Sequence, residues 1–385
     1  MPNRSGHNLK MNDIRRIIEE EVVRKGSISF ARFMELALYC PNFGYYEQID
    51  VSPGQKGDFF TSVSVGSLFG ELLACQMATW LDGVPAGRRQ IMEAGAHDGR
   101  LAGDILTWLH NHRPDLLEGL EYWILEPSAR RRESQEKTLG EFGSLVRWFD
   151  SWSELPSGGV HGVIFSNELL DAMPVNRLGW DANVKRWFEW GVKMGEGRFI
   201  WTRMPVAQGS EELAHDGAKR TGQSAMTVTN LQPEVLAVLP DGFTTEICPA
   251  ALDWWRKAAS VLKIGKLMTI DYGLTTEQFF TPERKGGTLR VYYKHHQDSD
   301  LLARPGEQDI TAQVNFTLVR ETGESAGLTT EGFMTQGQFL TGIVERALID
   351  TPRFAESLTA RSRQFQALTH PEHLGQSFRV LVQVR

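Results

Sequence analysis

Four short apolar runs, each closed by a polar residue or a glycine turn, set the limits on what this chain can fold into. They read "RQIMEAGA", "EYWILEPS", "GVIFSNELL" and, much later, "GKLMTIDYG". Each has strand length, and the segments between the runs carry helical or turn patterns. Strands apolar on both faces are those that helices cover from both sides, as in parallel sheets. The pattern predicts an α/β fold and puts functional groups in the loops at the strands' carboxyl ends. A length of 385 residues exceeds one minimal core and allows one elaborated domain or two.

Helical spacing precedes the first run. Ile14, Ile17, Ile18 and Val22 recur on one face, and "SFARFMELALY" reads as a helix that starts after Ser29 and stops near Cys40-Pro41. A loop dense in glycine, proline and aromatics follows, "PNFGYYEQIDVSPGQKGDFFTS". Long loops in compact domains are usually functional or disordered, and the aromatics argue against disorder. "SLFGELLACQMATWL" reads as another helix. Between the third and fourth runs lies a long insertion whose middle, "VAQGSEELAHDGAKRTGQSA", is polar and rich in glycine and serine. The tail adds strand-like "GTLRVYYKH", helical segments and a closing strand, "SFRVLVQV". The organisation predicted is an N-terminal helical segment with a lid over 1–84, the first part of the core over 85–180, a substrate-side insertion over 181–244, and the remainder of the core with the C-terminal strands over 245–385.

Composition excludes several classes. A net charge of −7 gives no basic field for phosphates, so nucleic acid is not expected as a partner. No apolar stretch is long enough to span a membrane, and none is expected as a partner. Cys40, Cys75 and Cys248 are scattered and lack C-x-x-C spacing, which argues against a disulfide framework or a zinc site and suits a reducing compartment. The basic N-terminus lacks a following apolar segment, so the expected location is the cytoplasm. His295 and His296 are adjacent on a strand-like run and would point to opposite faces, so no metal site is expected.

In "IMEAGAHDGRLAGDIL", Glu93 lies at the strand end and Gly95 and Gly99 flank a turn that opens a helix. Such a turn lets backbone N–H groups approach a ligand closely. The dinucleotide fingerprint G-x-G-x-x-G fails at His97, whereas E-x-G-x-x-x-G fits better with the loop of S-adenosylmethionine (SAM) enzymes. The loop alone is compatible with a plain strand–helix turn. Glu126 ends the next run, where an acidic residue can accept bonds from both ribose hydroxyls. In "SNELLDAMPV", Glu168 and Asp171 are three residues apart and would share a face if a helical turn formed; the alternative is a helix cap made by Asn167 or Asp171. Asp271 and Tyr272 end the fourth run.

Together these motifs resemble the MidA-like SAM-dependent methyltransferases, a family that includes the mitochondrial complex I assembly-factor arginine methyltransferase. The resemblance runs in order through "FMELALYCPNFGYY", "KGDFFTS", "LFGELLA", "EAGAHDGRLAGDIL", "LEPS", "NELLDAMPV", "IDYG", "GTLRVYYKHH", "PGEQDITAQVNFT" and "TQGQFL". It implies a Rossmann-like methyltransferase core with SAM as cofactor. Carried over by position, cofactor binding falls to Glu93, Gly95, Ala96, Gly99, Glu126, Pro127, Ser128 and Asn167. A closing segment adds Gly57, Asp58, Phe59, Thr61 and Ser62. Asn167, Glu168 and Asp171 match the family's active-site motif.

In the assembly-factor branch the resemblance implies symmetric dimethylation of an arginine in a complex I subunit. Where the family has Gly, Pro-Glu, and His and Asp, this chain has His97, Val63-Ser64, and Gln313 and Asn315. Those departures favour two alternatives, a small-molecule acceptor or a SAM-binding assembly factor without turnover. A bidentate carboxylate can fix the plane of a guanidinium and aim one nitrogen. Glu168 is expected in that role, with Asp171 supporting it or receiving a proton.

Overall fold

The computed structural model describes residues 4–48, 61–206, 233–294, 296–350 and 360–385. Gly57, Asp58 and Phe59 of the expected lid, His295, and the polar stretch after Val206 lie outside the described residues. The chain divides into two compact units, one of residues 52–170, 255–273 and 326–385, the other of residues 1–51, 171–254 and 274–325.

The first unit is built on seven strands: β1 (Arg89–Ala94), β2 (Leu120–Leu125), β3 (Val146–Phe149), β4 (Val160–Asn167), β5 (Leu262–Leu274), β6 (Thr329–Thr335) and β7 (Phe378–Val384). Their order across the sheet is 6-7-5-4-1-2-3. The four apolar runs become β1, β2, β4 and β5, and every pairing among them is parallel. The closing strand β7 runs antiparallel to both β5 and β6. Strands β3 and β6 were not among the expected elements. In β3 Arg147 is exposed within a four-residue run, which leaves no readable alternation, and β6 shows no continuous burial along its length.

Helices α1 (Leu68–Leu81), α2 (Arg100–His112), α3 (Ala129–Thr138), α4 (Gln336–Asp350) and α5 (Ser362–Thr369) belong to this unit. Leu72, Met77, Leu101, Ile105, Leu340 and Leu368 from four of these helices enter one apolar core with Ile91, Ile124, Phe165 and Ile270 of the sheet. The chain order reverses between β1 and β4, where one half of the sheet runs 1-2-3 outward and the other 4-5. At such a switch point, loops at the strands' carboxyl ends part and leave a crevice.

The second unit has its own core, where Ile14, Ile18, Phe30 and Phe33 pack with Val192, Phe199 and Ile310. Its N-terminal helix Arg4–Lys25 and the helix Phe30–Tyr39 agree with the apolar spacing, and the Ser29 hydroxyl caps the latter by accepting from the Arg32 N–H. Antiparallel strands Asn176–Asp181, Arg186–Gly195, Arg198–Met204 and Thr244–Ile247 form one sheet with Ile28–Ser29. Arg290–Tyr293, His296–Asp298 and Asp309–Thr311 form a smaller one.

Candidate active site

All the expected cofactor residues that the structure describes lie in the unit built on β1–β7. The β1–α2 turn has left-handed backbone at Gly95 (φ +78°), His97 (φ +49°) and Gly99 (φ +82°). Gly95 is exposed, and a Cβ there would stand 3.0 Å from Leu169 Cδ1, so the glycine lets this turn lie against the segment after β4. The buried Ala96 offers its carbonyl to the Gly99 N–H at 2.7 Å, which closes the turn. His97 occupies a conformation that glycine adopts without steric cost, which accounts for its oddity in this position. Its Nδ1 is buried and 3.8 Å from Asp98 Oδ1, too far for a hydrogen bond, and burial pushes the imidazole's pKa down.

Glu93 lies near the carboxyl end of β1. Its side chain is 2% exposed and accepts a 2.6 Å bond from the Tyr122 hydroxyl. Burial raises its pKa to about 7, against a smaller lowering by the Tyr122 bond. Glu126 is also buried, yet its carboxylate is well supplied with donors. Oε1 accepts from the Ser128 N–H and Oε2 from the Gln135 side-chain amide, each at 3.0 Å. Pro127 is exposed, and Ser128 caps α3 by accepting from the Arg131 N–H. Gln135, fully buried on α3, also donates to the His97 carbonyl at 3.0 Å and accepts from the Trp148 indole N–H at 3.0 Å. Sequence reasoning passed over Gln135, although it is one uncharged side chain in a helix crowded with arginine and glutamate.

Residues 168–170 after β4 form a bend, residues 171–172 a turn, and no helix follows before the strand Asn176–Asp181. The shared helical face for Glu168 and Asp171 is therefore corrected, and so is the helix cap weighed against it. Glu168 has left-handed backbone, φ +51°, and its N–H donates to the Ile270 carbonyl at 2.9 Å. Asp271, fully buried at the end of β5, holds this bend: Oδ2 accepts from the Leu169 and Leu170 N–H groups at 3.2 and 2.8 Å, and Oδ1 from the Tyr272 N–H at 2.8 Å. Peptide donors beyond β4 would otherwise be buried unpaired. The Asn167 amide donates to Glu168 Oε1 at 3.1 Å, while its own Oδ1 is buried with no hydrogen-bond partner among the described residues.

Thr61 and Ser64 bond reciprocally, each hydroxyl receiving the other's N–H, which gives the unexpected Ser64 a local role as a turn former. Ser62 is fully buried and donates to Gln336 Oε1 at 3.0 Å, so its hydroxyl proton is engaged within the protein.

In the second unit, Asp171 is buried and its carbonyl accepts from the Ala312 N–H at 2.9 Å. Asn315, one of the departures expected on the substrate side, caps the helix Phe316–Ser325: its Oδ1 accepts from the Leu318 N–H and the Thr276 hydroxyl. Among the described residues no group of three metal-ligating side chains occurs, and no helix is long and apolar enough to cross a membrane.

A largely parallel sheet with a glycine turn after β1, a donor-rich acid after β2 and a polar bend after β4 is the frame of the α/β enzymes that take nucleoside cofactors. The donor set fits SAM: a buried carboxylate after β2, left-handed glycines where backbone must come close, and an acceptor, Asn167 Oδ1, without a partner among the described residues and able to receive an ammonium or hydroxyl donor. A family model described as "Putative S-adenosyl-L-methionine-dependent methyltransferase" matches residues 72–334. The chain belongs to this family, the MidA-like methyltransferases, and its cofactor is SAM.

A Burkholderia thailandensis protein solved in complex with S-adenosyl-homocysteine is 30% identical, with a TM-score of 0.78 over 100% of this chain and 95% of that one. Mitochondrial protein arginine methyltransferase NDUFAF7 of Danio rerio is 26% identical over 94% of this chain and 84% of its own length. The Drosophila melanogaster homologue is 25% identical over 98% and 85%. These relatives are mitochondrial by name, which overturns the cytoplasmic expectation. The expectation rested on a charge and hydropathy pattern, which names no compartment.

Proposed function

We propose that the chain transfers the methyl group of SAM to an arginine side chain of a protein substrate, with Glu168 orienting the guanidinium. The observation that carries this reading is the left-handed backbone of Glu168 after β4, its N–H tied to the Ile270 carbonyl and the next two peptide N–H groups held by the Asp271 carboxylate. The relatives named protein arginine methyltransferases support the acceptor class. Symmetric dimethylation and a complex I subunit as acceptor are the finer part of the proposal and rest on the family resemblance alone.

SAM, when bound, supplies an electrophilic methyl on a sulfonium. Glu126 accepts from the ribose hydroxyls, the 95–99 turn presents backbone N–H groups, and Ala96, Pro127 and Ser128 shape the walls beside them. Asn167 offers Oδ1 to the cofactor while its amide fixes Glu168 Oε1. Glu168 then pairs with the guanidinium through a carboxylate, which neutralises the cation and sets its plane. A guanidinium nitrogen is a weak nucleophile because its lone pair is delocalised, so orientation is the main service the protein supplies. Asp171 is assigned to support Glu168 or to receive the proton released after transfer.

Glu168→Gln keeps the size of the side chain and removes its charge. Transfer of a tritiated methyl to an arginine-bearing protein substrate should fall by roughly 10²–10⁴-fold, with SAM affinity little changed. Near-normal transfer by Glu168→Gln would reduce Glu168 to a structural role and turn the search to uncharged small-molecule acceptors.

A further inference from the structure

We infer that Gln135 is a positioning residue for the cofactor: its buried amide sets the Glu126 carboxylate and ties it to the glycine turn. The inference rests on the reading of Glu126 as the acid that receives the ribose hydroxyls.

The three partners of the amide fix its orientation. A carboxylate and a peptide carbonyl can only accept, and an indole N–H can only donate. The Gln135 Nε2 must therefore face Glu126 Oε2 and the His97 carbonyl, while Oε1 faces Trp148 Nε1. No amide flip is compatible with that set, because it would place an acceptor against two acceptors and a donor against a donor.

Two loops that reach the cofactor from different strands are thus joined through one side chain. His97 belongs to the turn after β1, and Glu126 follows β2. Between them α3 comes close to the turn: a Cβ on Gly99 would stand 3.3 Å from Gln135 Cα, so the glycine permits the approach. The second carboxylate oxygen, Oε1, receives the Ser128 N–H. A donor on each oxygen restrains the carboxylate in rotation. An apolar residue at 135 would release the carboxylate to rotate and leave the His97 carbonyl buried without a donor. Since helix α3 buries no other side chain as fully, nothing else on it substitutes for this amide.

The test compares two probes by calorimetry, S-adenosylhomocysteine and its 2′,3′-dideoxyribose analogue. The readout is the ratio of their affinities, which uniform damage to the fold leaves unchanged. Glu126→Gln should collapse the ratio by about tenfold or more, the scale of a hydrogen bond to a charged group. Gln135→Met should lower it by about tenfold, and in the Glu126→Gln background by about threefold or less. Trp148→Phe keeps Gln135 and Glu126 while freeing the amide, and should move the ratio the same way by about threefold; it serves if Gln135→Met does not fold.

An unchanged ratio in Gln135→Met, or in Trp148→Phe where the first fails to fold, together with a collapsed ratio in Glu126→Gln, overturns the inference and leaves the ribose reading intact. An unchanged ratio in Glu126→Gln overturns the ribose reading itself, and the inference with it.

Discussion

Replacing Glu93 by Gln should make the protein more stable above neutral pH and change it least in mild acid. The carboxylate is 2% exposed, and its pKa is raised from 4.5 to about 7, first by burial and then by the nearby Asp98, with the Tyr122 hydroxyl acting in the other direction. Between pH 4.5 and 7 the folded chain keeps a proton that the unfolded chain has released. Stability therefore falls as pH rises through that window and levels off above it.

A displacement of this size, at about 1.4 kcal/mol per pH unit, corresponds to roughly 3 kcal/mol once the group is ionised. Gln carries no charge at any pH, retains an acceptor for the Tyr122 hydroxyl, and removes that term. Asp104, whose pKa burial raises to about 6, contributes a slope of the same sign to both proteins. The quantity to measure is therefore the difference between variant and wild type. Urea unfolding at half-unit steps from pH 5 to 8 should show Glu93→Gln gaining on the wild type by roughly 3 kcal/mol across the series. A difference that stays flat with pH would mean that Glu93 titrates normally, and the reading of a buried, protonated carboxylate beneath the glycine turn would be wrong.

Two further substitutions probe the backbone of the site. His97→Gly should leave stability within about 1 kcal/mol of the wild type, because relief of the left-handed strain at φ +49° offsets the added entropy of the unfolded chain; a thermal melt showing a loss beyond about 2 kcal/mol would assign the imbedded imidazole a packing role instead. Asp271→Asn should cost roughly 1–3 kcal/mol in urea unfolding, because an amide must turn its NH₂ toward either the Leu169 and Leu170 donors or the Tyr272 donor; wild-type stability would show that the bend holds without it.

The sheet was legible where strands were apolar throughout. Ile91, Ile124, Phe165 and Ile270 mark four strands because burial on both faces leaves no polar position to break the run. The acids at their ends were legible for the same reason, since a lone carboxylate after an apolar run stands out. Pairing was not. Nothing in "WILEPS" tells that Glu126 is held by a glutamine nine positions along, or that Asp271 serves the peptide groups after another strand. Those bonds join segments that only the fold brings together. Likewise, Glu168 looked like the start of a helical turn because spacing cannot report a left-handed residue that a distant carboxylate stabilises. Asn315 was legible as a departure from the family, but its bond from the Thr276 hydroxyl was not, because Thr276 lies far away in the chain.

That division explains how the site is built. Its carboxylates are not free groups awaiting a ligand: Glu126 has a donor on each oxygen, Asp271 holds three peptide N–H groups, and Glu93 takes the Tyr122 hydroxyl. Rotation of Glu126 and of the bend after β4 is thus restrained during folding, so little ordering is left for the binding step. The same logic separates the acids by task. Glu93, with one donor and nearly complete burial, tends toward the protonated form and suits a structural place beneath the turn. Glu126, with donors on both oxygens, suits a fixed acceptor at the ribose. Glu168 has left-handed backbone and is half-buried, which suits a carboxylate that must meet an incoming cation. What distinguishes Glu93 from Glu126 is which element reaches each: the Tyr122 hydroxyl of β2 for the first, the Gln135 amide of α3 for the second.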